Sequence, residues 1–372
     1  MKKKLFWLFV SFAVLLSGCG AGTVSAPASD ESVMVVDHLG KSVTLPKRIE
    51  RVAVCDVFPL PALLSVFFGS AERLAVIPPS SRTAAENSLL AELYPEILQA
   101  DTSPVSGSSV NLEELMKAKP QVVFYNADNP SLGEALEKAG FCAVAVSVNS
   151  WDYDAAETLC QWLDLLTRIF PDSAAVQTER IRDYCAETEA RIRERVQTLA
   201  EAEKKKIFFL VQYSADSLVT AGRNAFGQWW AEQVGAIPAS EELTQSNSAK
   251  VTMEQIYLWN PDMVFLTNFT TALPQDLYDN TIGNYDWSGI RAVQNRAVHK
   301  MPLGLYRSYT PGVDTPLTLL WLAKTVYPER FADCNLTEEA MRYYETVFGI
   351  RLSEEQAESI FSPVAAAGKI DF

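Results

Sequence analysis

Arginine and tyrosine side chains recur in segments that follow predicted strands, and these residue types recognise anions. Arg307, flanked by Tyr306 and Tyr309, is the principal candidate. Arginine offers a planar fork of donors to an anion, and tyrosine adds a hydroxyl group and a flat apolar face. The further candidates are Tyr213, Arg223, Asn224 and Arg82. The alternative for each residue is an exposed position that only stabilises its loop.

Metal coordination and catalysis find little support in the chain. Its two histidines, His38 and His299, are far apart, and neither has a neighbouring His, Asp or Glu at a spacing typical of zinc, manganese or ferric sites. No nucleophile elbow, phosphate-binding loop or zinc-protease motif occurs. We therefore expect a binding protein without a cofactor and without enzymatic activity.

One stretch of the chain occurs twice. Val110–Phe124 and Val251–Phe265 align at an offset of 141 residues, with identical Val, Glu, Pro, Val and Phe at the same places. A repeat sets the architecture, and a period of this length indicates two similar lobes rather than a solenoid.

Each copy predicts a helix followed by a buried strand. Asn111 and Thr252 are typical helix N-caps, and each has Glu or Gln three residues later, as in a capping box. Pro120 and Pro261 end the helices, because proline disfavours helical geometry in the preceding residue. The apolar run after each proline is typical of a parallel strand.

The repeat also places a glutamate, Glu113 or Glu254, at the start of each helix. A carboxylate in the first turn favours the helix dipole, and this could be its whole role. An exposed pair of acids, one on each lobe, could instead bind a partner.

The remaining chain alternates strands and helices over residues 33–150 and again over 206–372. Residues 151–205 interrupt this pattern with two helices, Ala155–Ile169 and a long helix from about Ser173 to Lys204. The predicted fold is α/β, with two Rossmann-like lobes joined by one long interlobe helix.

The ligand cleft should lie between the lobes, outside the carboxyl ends of the strands. The segments expected there are Asp56–Pro61, Pro79–Arg82, Ser106–Val110, Asn126–Asn129, Tyr213–Asn224 and Tyr306–Tyr309.

The N-terminus predicts export. Lys2, Lys3 and Lys4 precede an apolar run that is too short to span a membrane. The run ends in Leu-Ser-Gly before Cys19 and resembles a bacterial lipobox, which implies a signal peptide over residues 1–18 and a lipid on Cys19. Residues 19–32 are small and polar, as in a flexible tether. Ordinary signal cleavage near Ala26 is the alternative. We expect an extracytoplasmic protein anchored to the bacterial cell membrane by its lipid.

Charge and cysteine content restrict the partners. Loss of the three N-terminal lysines takes the net charge from −14 to −17, which argues against nucleic acid. Five cysteines follow Cys19, so they cannot all pair. Cys55 and Cys142 lie in apolar runs typical of a core. A bridge between Cys160 and Cys185 remains an open alternative.

Several motifs together carry a family resemblance. They are Asp37–Pro46, both copies of the repeat, Trp287–Val293 and Trp321–Phe331. In this order they resemble the solute-binding lipoproteins of bacterial ABC importers, in the class with a rigid interlobe helix. Known ligands of that class include ferric siderophores, haem and cobalamin. The tail from Tyr327 to Phe361 is similar to a branch with molybdate- and tungstate-binding members.

The resemblance implies roles for the repeated acids and for the cleft. Glu113 and Glu254 match the glutamates that dock onto arginines of the permease dimer. The ligand is expected to be an iron chelate of the siderophore or haem type, or a similar metal complex, carried by a monomer. A molybdate or tungstate oxyanion is the alternative, and a surface lipoprotein without a transport role is another.

Overall fold

The computed structural model describes residues 32–173, 178–245 and 248–370. The predicted signal peptide, Cys19 and nearly all of the predicted tether lie outside these ranges. In the described ranges, no helix combines the length and the apolar character needed to cross a membrane.

The strands and helices have the following bounds in chain order. The strands are β1 (Ser32–Val36), β2 (Ser42–Pro46), β3 (Val52–Val54), β4 (Leu74–Val76), β5 (Val105–Ser106), β6 (Ser109–Val110), β7 (Val122–Asn126), β8 (Ala143–Val146), β9 (Lys206–Leu210), β10 (Gln212–Ser214), β11 (Ser217–Thr220), β12 (Ile237–Pro238), β13 (Ala249–Val251), β14 (Met263–Leu266) and β15 (Val298–Lys300). The helices are α1 (Leu60–Phe68), α2 (Pro79–Glu86), α3 (Leu89–Leu93), α4 (Leu112–Ala118), α5 (Pro130–Lys138), α6 (Ala155–Ile169), α7 (Thr178–Val196), α8 (Phe226–Gln233), α9 (Met253–Trp259), α10 (Pro274–Asp279), α11 (Arg291–Gln294), α12 (Thr315–Val326), α13 (Leu336–Tyr343) and α14 (Glu354–Ser359).

Two parallel four-stranded sheets form the centres of the two lobes. The first has the order β4-β3-β7-β8 and the second β12-β9-β14-β15. In each sheet, the strand that follows the repeated helix pairs in parallel with the strand of that sheet that comes first in the chain, β7 with β3 and β14 with β9. The prediction of an α/β fold with two similar lobes is confirmed.

The repeated helices α4 and α9 end in the same way. Lys119 and Asn260, the residues before the two prolines, adopt left-handed backbone conformations with φ of 48° and 41°. The predicted reciprocal capping box forms in the second copy, where Thr252 and Gln255 exchange hydrogen bonds. In the first copy Asn111 caps the helix alone, because the Glu114 carboxylate pairs with Lys117.

The interlobe helix α7 is shorter than predicted. It ends at Val196 rather than Lys204, and the short turn Glu201–Glu203 leads into β9. The physical reason is tertiary: the Arg330 guanidinium donates to the Arg195 carbonyl at 2.7 Å, one of the carbonyls that a helix end leaves without a partner. The expected start also differs, since Ser173 lies in a separate turn and residues 174–177 lie outside the described ranges.

Charged residues of α7 join this helix to its neighbours. Arg191 pairs with Glu339 at 2.6 Å, and Arg195 binds Asp333 with two hydrogen bonds. The helix also packs on α6 and α12. It is therefore built into the body of the protein rather than exposed as a free strut.

A single apolar core extends from one lobe to the other. It contains Val54 of the first sheet, Trp162 of α6, Ile192 of α7, and Trp230 and Leu320 from the second lobe. Smaller clusters fill the outer part of each lobe. Because side chains of both lobes interdigitate in the shared core, a large hinge motion would have to disrupt close packing.

Candidate ligand-binding site

A cavity of about 360 Å³ lies where loops of both lobes meet. This volume falls within the range of small-molecule sites. The first lobe contributes Phe58, Pro79, Ser80 and Gly107, and the second contributes Val211, Gln212, Ala221, Phe226, Ser248, Phe269, Arg307, Tyr309, Thr310 and Ile370. The wall is mainly apolar and aromatic, and no carboxylate is among these lining residues.

Arg307 is the charged member of this lining, and its side chain is 1% exposed. Its Nε and Nη2 donate to the Ala367 carbonyl at 3.1 and 3.0 Å, and Nη2 also donates to the Lys369 carbonyl at 3.0 Å. Nη1 lies 3.4 Å from the Tyr306 hydroxyl. Of the five N–H groups of the guanidinium, one on Nη1 has no acceptor among the described residues.

The Arg307 guanidinium lies against aromatic rings and has no carboxylate partner in the described part of the chain. The Phe269 ring centre is 5.3 Å from its central carbon, and that of Tyr306 is 5.6 Å away. These contacts favour the cation but do not neutralise it. A buried charge is normally paired, so the site is suited to an anionic ligand.

A second cation, Lys300, lies behind the cavity wall. Its Nζ donates to the carbonyls of Thr267, Thr270 and Ala272 at 2.9, 2.5 and 2.9 Å. Burial and, to a smaller extent, the nearby Arg307 charge lower the pKa of Lys300 to about 7. The Arg307 cation, with no acid in the cavity lining, gives this region a positive charge in an otherwise acidic protein.

The loop that carries Arg307 is held by a buried carboxylate. Asp314 accepts hydrogen bonds from the Leu305 N–H at 2.7 Å and from the Tyr344 hydroxyl at 2.5 Å. Burial raises the pKa of Asp314. The carboxylate packs against Gly304, where a side-chain carbon would lie only 2.3 Å from it. Asp314 therefore fixes the path of the chain just before Arg307.

Residues 365–370, which we call the C-terminal strap, cover the other side of Arg307. The turn Ala365–Gly368 packs on α2 of the first lobe. Gly368 lies directly on the Thr270 carbonyl, where an added side-chain carbon would come within 1.9 Å. Ile370 then reaches the cavity. The strap thus contacts both lobes and supplies the carbonyl groups that hold Arg307.

The structure brings some of the predicted binding residues together. Arg307 and Tyr309 line the cavity, and Tyr306 lies behind Arg307. Arg223 and Asn224 are exposed and follow the lining residue Ala221 in the chain. These two residues are not part of the cavity lining, although they lie two and three positions after Ala221 in the chain.

Two predicted binding residues have structural roles instead. Tyr213 lies in the core of the second lobe, where its hydroxyl donates to the Ile282 carbonyl and accepts from the Trp287 indole. Arg82 lies on helix α2 rather than in a loop, because Pro79 occupies a first-turn position that suits proline. Its guanidinium donates to the carbonyls of Leu98 and Ala100.

The phenylalanines of the cavity were not among the predicted binding residues. Phe58 lies within a segment that was expected at the cleft, and Phe269 follows β14 at the carboxyl edge of its sheet. A phenylalanine just beyond a strand end was the available signal, but only arginine, tyrosine and asparagine side chains were predicted to bind the ligand. Ile370 gave no signal, because the strap reaches the cavity only through tertiary packing.

The repeated glutamates lie on matching exposed surfaces. Glu113 and Glu254 are both exposed at the first turns of α4 and α9. One turn later each helix exposes an apolar side chain: Met116 on the first, and Tyr257 with Leu258 on the second. Met116 and Tyr257 are equivalent in the repeat.

Neither histidine lies at the cavity. His38 accepts a hydrogen bond from the Ser147 N–H at its Nδ1, and burial lowers its pKa to about 4. His299 stacks on Phe265. Within the three described ranges, no group of three or more His, Cys, Asp or Glu side chains could hold a metal ion.

Comparisons with known proteins agree with this architecture. A family model described as periplasmic binding protein matches residues 62–303. The molybdate-binding protein MolA of Haemophilus influenzae is 24% identical over 347 residues, which cover 90% of this chain and 95% of MolA.

Two solved structures extend the comparison. A periplasmic solute binding protein from Veillonella parvula is similar with a TM-score of 0.77 and 28% identity, over 89% of this chain and 97% of that one. CeuE of Helicobacter pylori, solved as a nickel–histidine complex, has a TM-score of 0.70 and 20% identity, over 89% and 99% of the two chains.

Proposed function

Because the chain belongs to the periplasmic binding protein family, we propose that it is the extracytoplasmic solute-binding component of an ABC importer and binds an anionic metal chelate between its lobes. The siderophore and haem types of iron chelate, or a similar metal complex, are the ligand class that fits best. The protein delivers this ligand to the permease and performs no chemistry on it.

The observation that carries the proposal is the combination of an aromatic cavity and one buried arginine. Phe58, Phe226, Phe269 and Tyr309 supply flat apolar surface from both lobes. Arg307 supplies positive charge without a neighbouring carboxylate among the described residues. A chelate with an organic shell and a net negative charge would use both features.

A bare oxyanion is the second candidate. The similarity to molybdate-binding MolA over 90% of this chain favours it, as does Arg307. Against it, three of the five Arg307 N–H groups already bind strap carbonyls, and a fourth faces the Tyr306 hydroxyl. A tetrahedral oxyanion that used the whole fork of the guanidinium would need the strap to move.

The proposal assigns a role to each part of the chain. Residues 1–18 direct export, Cys19 carries the lipid, and residues 19–32 act as a tether. Residues 33–150 and 206–372 form the two lobes, and residues 151–205 connect them through the interlobe helix. The shared core restricts the lobes to a small closure on the ligand, and the protein acts as a monomer.

Docking on the permease would use the two matching exposed helices. Glu113 and Glu254 are positioned one on each lobe, as a two-fold symmetric partner would require. The exposed Met116 and Leu258 lie beside them and would add apolar contact. Exposed acids flanked by apolar side chains fit a surface that presents arginines next to apolar residues.

A fluorescence titration tests the proposed ligand class. The indole of Trp230 donates to the Tyr309 carbonyl at 2.9 Å, directly behind the cavity, so ligand binding should change its emission. Residues 20–372 would be titrated with ferric catecholate, ferric hydroxamate, haem, cobalamin, molybdate and tungstate. Saturable micromolar binding of a chelate supports the proposal. Binding of molybdate or tungstate alone would replace it with the second candidate.

A further inference from the structure

Helices α6 and α7 pack antiparallel in a register that their side chains define. The hydroxyls of Thr167 and Thr178 lie 3.3 Å apart. One turn along each helix, Arg182 pairs with Asp164 at 2.9 Å. Because the two helices run in opposite directions, moving towards the start of α6 corresponds to moving towards the end of α7. The residues one turn beyond Asp164 and Arg182 in these directions should therefore also face each other.

Cys160 and Cys185 occupy that next turn. Both are buried free thiols, at 2% and 4% exposure, and they lie close enough for each thiol to shift the pKa of the other. The other cysteines of the described residues, Cys55, Cys142 and Cys334, are not part of this contact. The register thus brings together one pair among the five cysteines.

We propose that Cys160 and Cys185 form a disulfide bond in the exported protein, which links the interlobe helix to α6. The inference does not depend on the ligand or on permease docking. It rests on the register of the two helices, which brings the two thiols to the same turn, and on location outside the cytoplasm, where disulfides form and persist.

The bond would form by thiol–disulfide exchange with an oxidant that itself carries a disulfide. The thiolate of one cysteine attacks the oxidant and forms a mixed disulfide, which releases one oxidant thiol. The second cysteine then attacks the protein sulfur of that mixed bond and releases the other oxidant thiol. The two cysteines lose two protons and two electrons, and the oxidant disulfide is reduced to two thiols.

The link would have a mechanical effect. α7 packs on α12 as well as on α6, and α12 follows the loop that carries Arg307 and Tyr309. A covalent bond between α6 and α7 would fix the interlobe helix at one point in its length. This would limit sliding of α7 against α6 when the lobes close.

Thiol counting after export tests the proposal. Residues 20–372 would be exported to the periplasm of a bacterial host behind a cleavable signal peptide and alkylated in denaturant without reductant. The expected mass corresponds to three alkyl groups, rising to five after reduction. Peptide mapping should join the segments that contain Cys160 and Cys185.

Two matched variants sharpen the result. Cys160→Ala should show four alkyl groups without reductant, because it frees Cys185, whereas Cys142→Ala should show two. Reductant should lower the melting temperature of the wild type but not that of the Cys160→Ala/Cys185→Ala variant. Five alkyl groups on the exported wild type, or a disulfide between any other pair, would overturn the proposal.

Discussion

Replacement of Arg307 tests whether this side chain meets the charge of the ligand. Arg307→Ala removes the charged residue of the cavity lining, which is 1% exposed and has no carboxylate partner among the described residues. A hydrogen bond to a charged group contributes about 1.5–3 kcal/mol. At about 1.4 kcal/mol for each tenfold change, affinity for an anionic chelate should fall about 10- to 150-fold. Calorimetric titration with the tightest-binding probe of the panel would measure this.

The substitution also releases the strap, so a control must separate the two effects. Deletion of residues 365–372 removes the carbonyl acceptors of Ala367 and Lys369 but keeps Arg307. If Arg307 contacts the ligand, the truncated protein should bind as tightly as the wild type or more tightly, because freed donors face the cavity. Arg307→Lys keeps the charge but lacks the fork of donors, and its affinity for the ligand should lie between those of the wild type and Arg307→Ala. Unchanged affinity in Arg307→Ala would refute direct recognition.

The remaining predictions concern docking and stability. Reversal of both charges in Glu113→Lys/Glu254→Lys should abolish ligand uptake by cells and leave affinity unchanged in titration. Met116→Ser/Leu258→Ser should reduce uptake with unchanged affinity, since 47% and 79% of these side chains are exposed. His38 has a pKa of about 4 in the fold against 6.5 when unfolded. The unfolded chain therefore takes up the proton first, and up to about 3 kcal/mol of stability should be lost as pH falls from 6.5 to 4. Chemical unfolding at several pH values would show this loss, and it should be smaller in His38→Asn.

These predictions have matched controls. Met34 lies on β1 and Leu39 in the turn between β1 and β2. Their side chains are 72% and 53% exposed, so replacing both by serine should leave uptake normal. Normal uptake by the charge-reversed protein would remove the docking role. For His38, asparagine retains an acceptor for the Ser147 N–H, and an identical pH dependence in both proteins would show that another group is responsible.

Local signals in the sequence were sufficient for most of the fold. The repeat fixed α4 and α9 and the strands after them, because caps and prolines act within a few residues. Ala155–Ile169 was predicted with the observed bounds. The end of α7 could not be predicted, because the residue that binds its last turn, Arg330, lies 135 positions away from Arg195.

In the candidate site, too, features set by nearby residues were predicted and features set by distant residues were not. The segments at the carboxyl ends of the strands were largely predicted, and five of the six contribute to the cavity lining. The choice of side chains within them was less accurate. Tyr213 and Arg82 turned inward to satisfy other groups, and the strap came from the C-terminus. Which way a loop side chain points depends on partners that local sequence does not identify.

The most direct test is a crystal structure of the ligand-soaked protein, with diffraction measured at the absorption edge of the metal. Each probe carries an anomalous scatterer: iron, cobalt, molybdenum or tungsten. We predict one peak in the cavity between Phe58 of the first lobe and Phe269 of the second, next to Arg307. A saturably bound ligand whose metal lies elsewhere would contradict the account.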